Sequence, residues 1–299
     1  MKRIAALLLV AVVAIAGLYL AQRRKHLDAV SPDAVLDAAA DFQHDLTRAP
    51  MQLTRLSDAE EIRIGDQLAQ SYETEFPPLT ASTQITQEYV AEVGARIATH
   101  ASRRLPYHFH LLPDPNFINA FAVPGGHVFI GQGLINQMTT EDELAFVLGH
   151  EIEHIDHYHA VERVQIEARL HNLNLDLVAA LAQIPISLWQ AGYSKDEEFE
   201  ADREGLRIAA ASGYSPQGAI LMLNRFLALD REYVIHAETP AGELSQVAIE
   251  GLEGYFSSHP EPSERLARIR EVIADDRLPM AQPLTPLSDK SKSANIQRP

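Results

Sequence analysis

The chain has 299 residues, enough for one sizeable core or two small ones, and a formal net charge of −16. So acidic a balance argues against a nucleic-acid partner, which would select a basic face. The chain contains no cysteine, and this excludes thiol catalysis, a disulfide framework and a lipoprotein anchor.

The first predicted element is a targeting segment. Met1-Lys2-Arg3 precedes an uncharged run of 18 residues from Ile4 to Ala21, and Arg23-Arg24-Lys25 follows. As a helix rising about 1.5 Å per residue, the run covers about 27 Å, close to the ~30 Å of a bilayer's hydrocarbon layer. Residues 1–21 therefore read as a signal anchor. They also read as a cleaved signal peptide, because Ala14-Ile15-Ala16 is an A-x-A site. The first reading gives a membrane-anchored, exported domain; the second gives a periplasmic or secreted one. Basic residues on both flanks weaken any positive-inside argument for orientation.

Residues 22–50 form an Ala-rich polar stalk, helical from Leu27 to Asp45 and ended by Pro50. Asp58 to Tyr72 and Ile85 to Ala101 show the apolar period of amphipathic helices. Tyr107 to Leu112 alternates like a strand, and Pro113-Asp114-Pro115 marks a turn. Ile118 to Val123 and His127 to Ile130 predict a hairpin around Pro124-Gly125-Gly126. Asn119, Ala120 and Phe121 on its first strand are candidates for binding an extended peptide, which can add to a sheet as another strand.

Thr140-Glu141-Asp142-Glu143 fits a capping box. Leu144, Val147, Leu148, Ile152 and Ile155 then recur at helical period. Inside this helix lies His150-Glu151-Ile152-Glu153-His154, an HExxH motif. Residues four apart share a helix face, so both imidazoles can reach one Zn²⁺, and Glu151 lies close enough to act as general base on an attacking water. Glycine and histidine at the two places where the longer metzincin motif needs them are replaced by His157 and Ala160, which excludes that class.

A catalytic zinc site needs a third protein ligand. Ser194-Lys195-Asp196-Glu197-Glu198-Phe199-Glu200-Ala201-Asp202 opens a helix that continues through Leu206 and Ile208. Glu198 and Asp202 are spaced i, i+4. One carboxylate can bind metal while the other accepts a hydrogen bond from a ligand histidine. Glu197 and Glu200 lie on neighbouring faces as rivals. His157 and His159 read as solvated helix positions.

The chain resembles the zinc metallopeptidase family that includes HtpX, the CAAX prenyl endopeptidase and the periplasmic BepA-like proteases. The resemblance rests on Asn119-Ala120-Phe121-Ala122-Val123-Pro124-Gly125-Gly126, on Phe129-Ile130-Gly131-Gln132-Gly133-Leu134, on Tyr193-Ser194 before Glu198-Phe199-Glu200-Ala201-Asp202, and on Ser258-His259-Pro260 with Arg265. It runs from about Leu53 to about Val272. It implies Glu198 rather than Glu200 as ligand and Asp202 as support for a ligand histidine. It also implies roles for His259 and Arg265 near the metal: His259 as a resting-state ligand or oxyanion stabiliser, Arg265 as positive charge. An envelope location agrees with it. Departures are Lys195 where arginine is common, a longer stretch from Arg231 to Phe256, and the absence of tetratricopeptide repeats after the catalytic domain.

The expected fold is therefore α+β and predominantly helical, with a small antiparallel sheet or hairpin beside the HExxH helix. The expected organisation is a metallopeptidase domain over 51–275 and a disordered tail over 276–299. Asn172 to Trp189 is too polar for a membrane span and is expected to pack as helices over the site. The expected activity is a zinc endopeptidase of the cell envelope, with one Zn²⁺ per chain, acting on unfolded or misassembled proteins. A zinc-bound chaperone or adaptor, or a zinc hydrolase of other substrates, is the competing class.

Overall fold

The computed structural model describes residues 56–170, 186, 193–237, 259 and 261–289, which belong to one compact unit, Arg55–Pro299. The expected targeting segment, stalk and most of Asn172 to Trp189 lie outside the described residues. No helix among the described residues is long and apolar enough to cross a membrane.

Two helices come first, α1 (Asp58–Glu75) and α2 (Ala81–Ala98). Each opens on a reciprocal capping box, Ser57 with Glu60 and Thr80 with Thr83, which satisfies backbone N–H groups that a helix start leaves unpaired. Strands β1 (His108–Leu112), β2 (Ala120–Val123) and β3 (His127–Gly131) follow, with a 3₁₀ turn over Pro124–Gly126. The expected hairpin is β2 antiparallel to β3. The sheet as a whole is mixed, because β1 joins β3 in parallel and the order is β1-β3-β2. The expected antiparallel hairpin is present, and β1 extends it into a mixed sheet.

The sheet is covered on both faces. Phe109, Leu111, Ala120, Ala122, Val128 and Ile130 join the main core. Phe121, Val123 and Phe129 turn the other way, into a second cluster with Ile64, Leu68 and Tyr72 of α1. Gly125 (φ 81°) sits on α1 so closely that a Cβ would lie 2.8 Å from Ile62 Cα, and its N–H donates to Glu61. Only glycine combines that left-handed turn with that approach.

Beneath α1 lie three imidazoles. The parallel register sets His108 beside His127, and His110 Nε2 stands 2.9 Å from His127 Nδ1. His110 faces Glu73 and His127 faces Asp66, both on α1. Burial, then the neighbouring imidazoles, push His110 and His127 down to about 4. Each stays neutral in the fold where the unfolded chain, titrating near 6.5, already binds a proton. Stability is thus complete above about pH 6.5 and falls as pH drops from there towards about 4. Urea midpoints should decline over that window, and less steeply in His127→Phe. An unchanged slope in that variant would remove the pair from the acid response.

The remaining elements are α3 (Gln132–Gln137), α4 (Glu141–Asp156), α5 (His159–Leu170), α6 (Lys195–Ala211), α7 (Gln217–Ala237) and α8 (Pro262–Asp275). Helix α4 runs through the centre, with 15 of its residues buried. Its start carries the expected box, Thr140 with Glu143, and Arg225 of α7 pairs with Glu143. Its end is held by Arg103, whose Nη1 donates to the Ile155 carbonyl at 2.9 Å.

The expected disorder from residue 276 is corrected over 276–289. Leu278 N–H continues from α8, and Gln282 and Thr285 dock on Ser215 and Asp142. Thr140 and Pro286 form a β-bridge, and Leu287 is buried. A strap thus crosses the start of α4. Residues 290–299 lie outside the described residues.

Candidate metal and catalytic site

Two crossing helices bring the site together. At the crossing of α4 and α6, a Cβ on Gly149 would lie 2.6 Å from the Gly205 carbonyl oxygen, and one on Gly205 would lie 2.6 Å from the His150 nitrogen. The backbones touch. That contact sets how far the His150/His154 face of α4 stands from the Glu198/Asp202 face of α6.

Across this gap, His150 Nε2 and His154 Nε2 are 3.1 Å apart. Glu198 presents Oε2 at 3.5 Å from the first and Oε1 at 3.6 Å from the second. The three residues form a group whose ligand atoms lie within 4.8 Å of one another. Glu198 is fully buried, and among the described residues no donor comes within close hydrogen-bond geometry of either oxygen. A buried carboxylate without donors is costly unless a positive charge meets it.

The charge balance points the same way. Burial opposes a charge on His150, but Asp202 and Glu198 outweigh it and push the imidazole up to about 9. Burial and the neighbouring His150 hold His154 well below its ordinary value. Burial works against the Glu198 carboxylate too, yet His259, His150 and Arg265 keep it ionised. One pocket attracts one positive centre and offers it two imidazole nitrogens and a carboxylate. That donor set fits a divalent metal of borderline softness.

The surrounding residues are sorted by their partners. Asp202 Oδ1 accepts from His150 Nδ1 at 3.0 Å, which turns Nε2 inward. Arg265 grips Asp202 at both oxygens, Nε to Oδ2 at 2.8 Å and Nη2 to Oδ1 at 2.7 Å. Its first claim is therefore on Asp202. Glu197 is committed to the cap of α6, accepting from Ser194 N–H. Glu200 turns to His157 and His159 instead of the metal point. Glu151 is buried, which pushes its carboxyl up to about 7.

His259 stands three residues before α8 and brings Nε2 to 3.7 Å from Glu198 Oε2, with its ring centroid 5.6 Å from that of His150. Asn119 and Ala120 line a small recess with His150, Glu151, His259 and Arg265. Asn119 Nδ2 is buried there without a hydrogen-bond partner among the described residues. Phe121 is not brought to the recess. It is on the other face of β2, stacked on Phe129 at 5.0 Å. His159, expected in solvent, is 1% exposed and touches His154. Tyr193, quoted only as part of a motif, stacks on the His154 ring at 3.9 Å.

With this geometry in view, comparison with known proteins is decisive for the family. Residues 84–273 match peptidase family M48. The chain belongs to that family. Among M48-like relatives, the beta-barrel assembly-enhancing protease of Escherichia coli (strain K12) is 29% identical over 192 residues, covering 58% of this chain and 38% of that protein. The mitochondrial metalloendopeptidase OMA1 of Schizosaccharomyces pombe is 27% identical over 198 residues, covering 64% and 54%. The Bos taurus counterpart is 37% identical over 118 residues, covering 34% and 22%. The chain thus spans about half or less of the length of these relatives. The M48 match contains every residue at the metal point and in its ring of partners.

Proposed function

We propose that this chain is a zinc-dependent endopeptidase of the cell envelope that cleaves unfolded or misassembled proteins. The convergence of His150 Nε2, His154 Nε2 and the buried Glu198 carboxylate carries the reading. Those three residues would hold the ion. Bound there, zinc supplies Lewis-acid polarisation and brings the pKa of a water to about 7.

The chain's own groups do the rest. Glu151 accepts the proton of the attacking water and returns it to the departing amine nitrogen. Because β2 is an edge strand of the sheet, an extended substrate can pair with it as a fourth strand. Asn119 Nδ2 is placed to donate to the substrate backbone. His259 is the fourth donor near the metal point, and it either restrains the site at rest or steadies negative charge on the carbonyl oxygen. Arg265 acts on His150 through Asp202. The envelope location rests on residues 1–21 and on the similarity to the beta-barrel assembly-enhancing protease.

Purified protein should contain one zinc per chain by mass spectrometry and cleave unfolded casein. Cleavage should stop on chelation and return with zinc. Stoichiometric zinc with no cleavage of any unfolded substrate would instead identify a chaperone or adaptor.

A further inference from the structure

The two imidazoles of the HExxH motif are supported differently. His150 has the usual arrangement, a carboxylate on its distal nitrogen. His154 does not. Its Nδ1 lies 3.0 Å from Nδ1 of His159, another imidazole, and both rings are buried. Beyond His159, Nε2 faces Glu200 Oε2 at 3.5 Å.

We propose that His159 is the positioning residue of His154: its Nδ1 accepts the His154 Nδ1–H and aims His154 Nε2 inward, while Glu200 selects the His159 tautomer that can do so. The inference rests on the metal reading above.

Proton counting gives the direction. A neutral imidazole carries one N–H. For Nε2 of His154 to offer a lone pair, its proton must be on Nδ1. The nitrogen opposite must then be bare, so His159 must carry its own proton on Nε2. The opposite pairing, with His159 donating, would place a proton on His154 Nε2 and block the metal point. A carboxylate beside His159 Nε2 favours the productive pairing, and Glu200 is that carboxylate. Its oxygen does not need to approach closely, because it only has to separate two tautomers of nearly equal energy.

The backbone is shaped for this contact. Helix α4 ends at Asp156 and α5 begins at His159. Between them Tyr158 has φ 66°, left-handed without being glycine. A non-glycine residue there is strained and persists where surrounding structure enforces it. Its ring lies under the Arg103 guanidinium at 4.0 Å, and its N–H donates to Ile155. Without that reversal, position 159 would continue along α4 and turn about 140° from the His154 face. With it, five residues after His154, the chain returns a second imidazole to the first. Tyr193, stacked on the His154 ring, closes the remaining face.

The full chain would be tested for zinc affinity by competition with a chromophoric chelator, alongside the unfolding midpoint without metal. His159→Phe keeps a ring and removes the acceptor, and it should weaken zinc binding about 10–100-fold. His159→Asn places an amide oxygen near the Nδ1 position and should restore most of the affinity. His159→Gln carries the same amide one methylene further, past His154, and should bind less tightly than the asparagine variant. Wild-type affinity in His159→Phe would overturn the proposal. If that variant does not fold, equal affinities of the asparagine and glutamine variants would overturn it. His154→Ala binding zinc as tightly as wild type would sink the metal reading itself, whereas loss in His154→Ala with none in His159→Phe would sink only this inference.

Discussion

Glu151→Gln is expected to keep its zinc and lose at least ~10²-fold in turnover, the usual contribution of a general base. Glutamine has the shape of glutamate, so the buried space beside α4 stays filled and the fold is unchanged. What it cannot do is take a proton from water. Metal content should not follow activity, because His150, His154 and Glu198 supply the donors at the metal point. The measurement is turnover on an unfolded protein beside zinc content by mass spectrometry. Wild-type turnover in this variant would end the role given to Glu151.

The second large effect is on stability. Arg265→Met should destabilise the fold by about 3–5 kcal/mol, the usual cost of removing one partner from a buried ion pair. Arg265 is 2% exposed and Asp202 is 1% exposed. Two charge-assisted hydrogen bonds join them. Methionine fills most of the volume but leaves the Asp202 carboxylate buried with a single imidazole donor. The double variant Arg265→Met with Asp202→Asn should recover much of the loss, because the uncompensated charge is then gone. Urea unfolding at neutral pH reads both. A loss below about 1 kcal/mol, as at an exposed pair, would mean that solvent reaches Asp202 and that its grip on His150 is loose.

The parts of this site that could be read from the sequence are those written in local spacing. HExxH, the box from Thr140 to Glu143 and the i, i+4 pair Glu198/Asp202 all depend on one helical turn, which is a property of neighbours. Arg265 was visible as part of a motif, but its partner Asp202 is 63 residues away and no spacing could name it. His159 was misread for a specific reason: projecting it onto a helix assumed that α4 ran on past His157. The left-handed Tyr158 breaks that projection, and tyrosine carries no sign of it, as a glycine would. The strand β1 was found from alternation, but its parallel partner was not, because the hairpin β2/β3 intervenes and pairing is non-local. The strap over 276–289 has the composition of a loop, and its order comes from Ser215, Asp142 and Thr139, which its own sequence does not contain.

That strap has a consequence for how the protein is made. Thr285 N–H donates to Asp142 across 143 residues, and Leu287 N–H to the Thr139 carbonyl across a similar span. During synthesis the HExxH helix leaves the ribosome long before the segments that fasten its first turn. Its metal-facing side waits for Glu198, its Asp202 clamp waits for Arg265, and its N-terminal turn waits for residues 282–287. At about 5–20 residues per second, roughly 7–30 seconds separate the emergence of Asp142 from that of Thr285. A nascent chain is therefore without a complete cleaving centre until almost all of the described sequence is out.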